Sequence, residues 1–285
     1  MSDDGEHAVV VIALLGNPFS PGYARARRRD PASDALAFSS MNVAIYSRRS
    51  SRWSLVEQCV RERQRTANSV EIGSSTMGWK GDHLEITIAT RSTPLGLPLR
   101  GRLTLHPEVR TERRVALDDA GDHDWWPVAP LSRLEVDFSL PSVRFSGHGY
   151  HDANAGAVPL DSTFESWSWG RARTDDGAIL TYDVRPVSSA DRSHGFRISP
   201  AGKVDELQAS RKVPLPRTIW GIDRQARIDA GYRPVVVRTL EDGPFYARAL
   251  VETHLEGRAA LMMHETLAAH RLRKRWVRLL TRCRM

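Results

Sequence analysis

Leu134-Glu135-Val136-Asp137-Phe138-Ser139-Leu140-Pro141-Ser142-Val143-Arg144-Phe145-Ser146-Gly147-His148-Gly149-Tyr150-His151-Asp152-Ala153-Asn154 is the stretch from which this chain is best read. Residues 134, 136 and 138 are apolar between polar neighbours, the two-residue period of a half-exposed strand. Val143-Arg144-Phe145 leads from there into residues 146–154, where one carboxylate, two imidazoles, an amide and a phenol fall together. Gly147 and Gly149 free the backbone to aim those groups inward. Asp152 is expected at a strand end or in the loop beyond it, where site residues usually sit. Trp125-Trp126-Pro127 precedes the stretch and Trp167-Ser168-Trp169 follows it, so four of the eight tryptophans lie near Asp152. A carboxyl group in an aromatic, poorly hydrated chamber resists ionisation and tends to keep its proton near neutral pH.

Outward from this stretch the pattern is of short alternating segments. Residues 8–16 read as a buried strand, and 41–47 with 52–58 as a hairpin whose tip is 47–51. Residues 70–72, 84–88 and 99–105 continue the series, with Gly81-Asp82 as a turn. Segments 167–173 and 178–184 flank Thr174-Asp175-Asp176-Gly177, a strong hairpin signal. Further strands are expected at 195–198, 234–240 and 245–255, with Asp242-Gly243 turning the last pair. Residues 23–29 fit a helix or a loop. Many short strands with little helix predict an all-β protein built as barrels or sandwiches. One helix is expected, from Thr266 onward, with Ala268, Leu272, Trp276, Leu279 and Cys283 on one face and Arg271, Arg275, Arg278 and Arg282 on another. A basic amphipathic helix of this kind suits an anionic membrane surface, or docks on its own barrel with its arginines in solvent.

At 285 residues the chain reads as two lobes, 1–158 and 159–285. A hydrophobic fraction of 41% beside 26% charged residues is that of a globular protein. The formal charge of +7 is concentrated in Arg271, Arg273, Lys274, Arg275, Arg278, Arg282 and Arg284, so the rest is near neutral and nucleic acid is not an expected partner. Cys59 and Cys283, without CxxC spacing, argue against a disulfide framework or a zinc site and for a reducing compartment. The acidic start and the short apolar run 8–15 match neither a secretory leader nor a membrane span. The expectation is a cytoplasmic protein, peripheral on the inner face of the cell membrane. His148, His151 and Asp152 on one short segment are too few for a metal centre, and none is expected.

Five blocks then become familiar: residues 19–28 (FSPGYARARR), 41–46 (MNVAIY), 125–130 (WWPVAP), 147–156 (GHGYHDANAG) and 164–169 (FESWSW). In order and over nearly the whole chain, they resemble the acyclic carotenoid 1,2-hydratases, also called hydroxyneurosporene synthases. His264-Glu265-Thr266-Leu267 is similar to that family's carboxy-terminal motif. Gly22 and Arg25 stand where aromatic residues are expected, and 268–273 differs from the usual ending. These departures bear on the substrate more than on the reaction.

The resemblance implies two lipocalin-like antiparallel β-barrel lobes and a lyase that adds water to the terminal double bond of an acyclic carotenoid, without cofactors. It puts the catalytic acid on Asp152. Protonating a trisubstituted alkene makes a tertiary carbocation, which the faces of Trp125, Trp126, Trp167 and Trp169 can stabilise, each by about 1–2 kcal/mol when desolvated. His151 and Asn154 are candidates to hold and deprotonate the incoming water, and Tyr150 to fix the carboxyl group. His148 and Tyr23 join the tryptophans as candidate substrate-binding residues. The partners implied are a long acyclic isoprenoid, water, and a membrane surface met through the basic terminal helix. Plainer readings stand beside these: Asp152 as a turn former, the tryptophans as packing, Glu265 as the partner of an arginine. The functional alternatives are an acid-initiated terpenoid cyclase or isomerase and a lipocalin-like polyene carrier.

Overall fold

The structure is a computed structural model that describes residues 1–48, 50–61, 64–207 and 210–277 in full and the backbone of 278–280. The chain forms two compact units, one chiefly Met1–Glu108 with Ser132–Tyr150, the other Val109–Leu131 with His151–Val277. Both are antiparallel β.

In the first unit, β1 (Ala8–Leu14), β2 (Ser39–Tyr46) and β3 (Ser51–Gln58) form a three-stranded sheet in that order. β2 is buried along its whole length, and its polar members are satisfied: Asn17 donates to Ser40, and Asn42 to the carbonyl of Ser54, each at 3.0 Å. Between β1 and β2 lies α1 (Pro21–Arg29), a helix because Ser20 caps it by accepting from the Tyr23 amide and Pro21 presets its first turn. There follow β4 (Ser69–Ile72), β5 (Ser75–Lys80), β6 (His83–Arg91), β7 (Pro98–Val109), β8 (Val115–Ala116), β9 (His123–Leu140) and β10 (Val143–Gly156). Their order is β10-β9-β7-β6-β5-β4, with β8 on β9. β8 and the start of β9 belong to the second unit; β9 runs on into the first, and β10 runs from the first back into the second.

Residues 146–154 are therefore strand throughout, within β10. The glycines serve close packing: a Cβ at Gly149 would overlap Leu105 and crowd Leu134, both buried. Asp152 lies in β10 near its carboxy-terminal end.

In the second unit come α2 (Leu160–Thr163), β11 (Phe164–Thr174), β12 (Gly177–Pro186), β13 (Arg192–Ile198), β14 (Val204–Glu206), β15 (Arg211–Leu215), β16 (Arg224–Ile228), β17 (Val235–Asp242), β18 (Tyr246–Leu255) and β19 (Arg258–Leu267). Seven of the strands pair in the order β14-β13-β12-β11-β19-β18-β17, and β15-β16 form a separate ribbon. The expected β11/β12 hairpin forms with Thr174 opposite Gly177. Gly177 is needed there because its φ is 142° and a Cβ would strike the carbonyl of Ile198. The expected all-β, antiparallel architecture is thus realised. Among the described residues each seven-stranded sheet is an open path, with no pairing between its first and last strands.

The two faces of the β14–β17 sheet differ. One packs Ala172, Ile179, Leu255 and Met262 into a core. Beside it the β15-β16 ribbon contributes Leu215 and Ala226 to a cluster with Ala249 and Val251. Asp183 ties ribbon to sheet through two-pronged bonds from Arg227, the shortest 2.7 Å, with Lys212 at 3.4 Å. Burial alone would raise the Asp183 carboxyl, but these cations and Ser193 hold it below the ordinary carboxylate range. His264 lies on the same face and donates from Nε2 to the Gln225 carbonyl at 2.9 Å.

The terminal helix starts later than its sequence pattern suggests. Thr266 and Leu267 still pair in β19, opposite Ser168 and Tyr246, because the edges offered by β11 and β18 satisfy their backbone. A 3-10 turn covers Ala269–Arg273 and α3 (Arg275–Leu280) follows. Ala268 and Leu272 of the predicted stripe are buried, but Trp276 is exposed and Val277 takes the inward position. Arg271 is not a solvated arginine either: it donates to the carbonyls of Trp220, Gly221 and Pro244. Cys283, Arg282 and Arg284, like the side chains of Arg278 and Leu279, lie outside the described residues.

Burial lowers the His264 pKa from 6.5 to about 4. The unfolded chain therefore takes up a proton near pH 6.5 that the folded chain refuses, and stability is lost as pH falls toward 4. Between pH 7 and pH 5 this residue should cost about 2 kcal/mol. Urea unfolding of His264→Gln at the two pH values should show a pH-dependent loss smaller than wild type by that amount.

Candidate active site

The candidate site is built on β9–β13, β18 and β19 of the second unit. Trp125 in β9 is fully buried, and its indole Nε1 donates to Asp152 Oδ2 in β10 at 3.0 Å. A buried indole N–H requires an acceptor, and a carboxylate against aromatic rings requires a donor, so each group meets the other's need. The Trp125 ring stacks on Phe196 of β13 with centroids 5.9 Å apart and lies 5.2 Å from Tyr182 of β12. Trp167 of β11 is 5.6 Å from Tyr182 and meets Tyr246 of β18 edge-on at 6.4 Å.

Sheet register explains why these side chains converge. Tyr182 stands opposite both His194 and Trp169; Trp169 also opposes Glu265, Glu265 opposes Arg248, and Arg248 opposes Glu241. Directly opposed residues share a face. One row across five strands and β17 thus carries an imidazole, a phenol, an indole and an ionic network. Arg248 is 1% exposed, bonded to Glu265 at 2.7 Å, 3.2 Å from Glu241, and its guanidinium lies 5.3 Å from the Tyr246 ring centre. Burial, then the negative charges of Asp152 and Glu265, push the Tyr182 phenol well above its usual pKa. Tyr182 is therefore a neutral, fully protonated aromatic in a negative electrostatic field.

The predicted site residues fall in several places. Asp152, Trp125 and Trp167 come together, and Trp169, nearly buried, extends the same face. Asn154 is exposed and Tyr150 half-buried; strand alternation puts both on the Asp152 side of β10. His151 points to the opposite side, and burial lowers its pKa to about 4, so the ring is neutral at neutral pH. Trp126 points away from Trp125: its Nε1 donates to the Thr111 carbonyl at 2.7 Å, under the Arg114 guanidinium. In the first unit, His148 Nε2 approaches Asp3 at 3.4 Å, and Tyr23 stacks on Phe38 at 5.3 Å.

Tyr182, Phe196 and Tyr246 escaped the sequence reading, since each looks like an ordinary inward strand residue. Their signal was the alternation of β12, β13 and β18, but only register shows that the three faces coincide. Glu265 has the arginine partner anticipated for it, in Arg248. His123 was also missed. It is buried two residues before Trp125, with Nδ1 2.9 Å from Asp118 and Nε2 3.0 Å from the Val158 carbonyl, and it anchors the start of β9.

Residues 11–285 match the family described as carotenoid hydratase CrtC. The chain belongs to the carotenoid hydratase family. The acyclic carotenoid 1,2-hydratase of Thiocapsa roseopersicina is 41% identical over 286 residues, covering 100% of this chain and 70% of that protein. The protein of the same name from Rubrivivax gelatinosus is 36% identical, covering 100% and 71%. In three dimensions, this carotenoid hydratase family member resembles the crystal structure of CghA with Sch210972, with a TM-score of 0.58 at 11% identity over 94% of this chain and 85% of that one. That likeness is one of fold.

The Trp125–Asp152 bond should be measurable as a coupling energy. In a double-mutant cycle of Trp125→Phe and Asp152→Ala followed by chemical denaturation, a hydrogen bond to a neutral carboxyl group predicts about 0.5–1.5 kcal/mol of non-additivity. Additive effects would mean the two groups do not depend on each other.

Proposed function

We propose that the chain is an acyclic carotenoid 1,2-hydratase, adding water across the terminal double bond of a long isoprenoid of the lycopene or neurosporene type. The observation that carries this reading is the Asp152 carboxyl group held by the Trp125 indole beside a cluster of aromatic faces. Family membership and the names of the relatives support the same reaction.

In this reading Asp152 is the acid. Its Oδ2 is oriented by the indole N–H, and the transferable proton sits on Oδ1. The π electrons of the terminal double bond take that proton at C2, leaving a tertiary cation at C1. Trp125, Tyr182 and Trp167 offer ring faces to the cation, each worth about 1–2 kcal/mol away from water. The carboxylates of Asp152 and Glu265 add negative potential in a setting where charges are poorly screened. Water bonds to C1 and loses a proton to the Asp152 carboxylate, which restores the acid; the balance is one alkene and one water to one tertiary alcohol.

Asn154, on the Asp152 side of β10, is assigned to hold the water, and Tyr150 to steady the carboxyl group. An imidazole whose conjugate acid has a pKa of about 4 is a weak base, so His151 is assigned to support β10 and the proton return to Asp152. A substrate of this kind partitions into lipid, and the reading puts the protein to work at a membrane surface on the cytoplasmic side. Among the described residues no helix is long and apolar enough to cross a membrane.

Purified protein given lycopene or neurosporene in heavy-oxygen water should yield a product one water heavier that carries the label. A cyclase or isomerase would yield an unlabelled product of unchanged mass. Asp152→Asn should lower turnover by about a hundred- to ten-thousandfold while polyene binding, followed by the absorption shift, persists. An Asp152→Asn variant as active as wild type would remove Asp152 from the mechanism.

A further inference from the structure

We propose that the turn 218–221 and Trp276 form a docking lip for the surface of an anionic phospholipid bilayer. The amide of Gly221 donates to the Thr218 carbonyl at 2.9 Å and Gly221 has φ 69°, so Ile219 and Trp220 occupy the two corners of a tight turn. Corners of this type ordinarily take Gly, Pro, Asn, Asp or Ser, because these residues satisfy the turn's backbone. An Ile-Trp pair serves no such purpose. Ile219 is 95% exposed, Trp220 is 42% exposed, and Trp220 stacks on the 46% exposed Trp276 with centroids 6.1 Å apart at 20°.

The exposure does not come from a slack loop. Arg271 donates to the carbonyls of Trp220 and Gly221, both at 2.7 Å, and to that of Pro244 at 3.1 Å. From the other side Asp242 accepts the Ile219 amide at 2.7 Å, and the Thr218 hydroxyl accepts the Ile222 amide at 3.1 Å. The apolar tip is held out rigidly, and each tie is to its backbone.

The charge around the tip identifies the occupant. Arg217, Lys274 and Arg275 are exposed beside it. Asp223 pairs with Arg217 at 2.7 Å, and the Asp242 carboxylate is engaged with the turn amides. The cations flanking Trp276 face no acid in the same segment. Indoles seat at the headgroup level, an aliphatic corner enters below it, and flanking Lys and Arg meet lipid phosphates. The lip rests on the proposed use of a lipid-borne substrate and names the element that meets that phase, a braced turn with a stacked tryptophan pair in place of a long amphipathic helix.

The test uses the whole purified chain. Cosedimentation is measured with vesicles of phosphatidylcholine alone and of phosphatidylcholine with phosphatidylglycerol, for wild type and for Ile219→Ser/Trp220→Ser. Wild type should bind the anionic vesicles better, less so as salt is raised. The double variant should bind about tenfold more weakly or worse, with unchanged turnover of detergent-dispersed polyene. Should the double variant fail to fold by circular dichroism, Ile219→Ser alone, at a position almost wholly in solvent, replaces it. Wild type that ignores both vesicles, or a variant that binds like wild type, overturns the proposal. So does a variant that changes only the oligomeric state in sedimentation, which would assign the lip to a second copy of the chain. An inactive detergent assay with intact lip-dependent vesicle binding would sink the hydratase reading and leave the lip standing.

Discussion

One hydrogen bond, from the Trp125 indole to the Asp152 carboxyl group, organises the second unit's chemistry. It lets a fully buried tryptophan keep its N–H satisfied and a carboxyl group lie against aromatic rings without losing a partner. It also holds β9 against β10 near the site and sets the direction of the Asp152 carboxyl group. Remove it and Trp125 loses its reason to lie where it stacks on Phe196 and faces Tyr182.

The two faces of the β14–β17 sheet divide the work. On one, aliphatic clusters and the Asp183–Arg227 pair fasten a ribbon to the sheet, and polar groups are there to satisfy each other. On the other, tryptophan and tyrosine rings stand beside Asp152, Glu265 and Glu241, with Arg248 binding two of those acids. Negative potential surrounded by π faces is an environment suited to a developing cation. Burial first, and then the charges of Asp152 and Glu265, raise the Tyr182 pKa in this setting.

Much of this was legible in local pattern. The β11/β12 hairpin followed from Thr174-Asp175-Asp176-Gly177, because only a glycine suits φ 142° beside the Ile198 carbonyl. β2, β3, β6 and β18 followed from alternation and turn residues. The ribbon β15-β16 did not, since Arg211, Lys212, Arg224 and Arg227 break its apolar alternation; in the fold Arg224 and Arg227 are both buried, and Asp183 pairs with Arg227. The end of β19 read as helix because 3.6-residue spacing carries on through Thr266, while its backbone is already claimed by two neighbouring strands.

By itself the sequence determined the strand-rich class, the hairpins and the family likeness, and it put Asp152 forward as a candidate, since each depends on residues close together along the chain or on blocks that need only be matched in order. Tertiary structure alone decided that Trp125 and not Trp126 meets Asp152, that Tyr182, Phe196 and Tyr246 share its company, and that His151 looks the other way. Those outcomes depend on register between strands distant in sequence, where a shift of one residue would exchange the two faces of a strand.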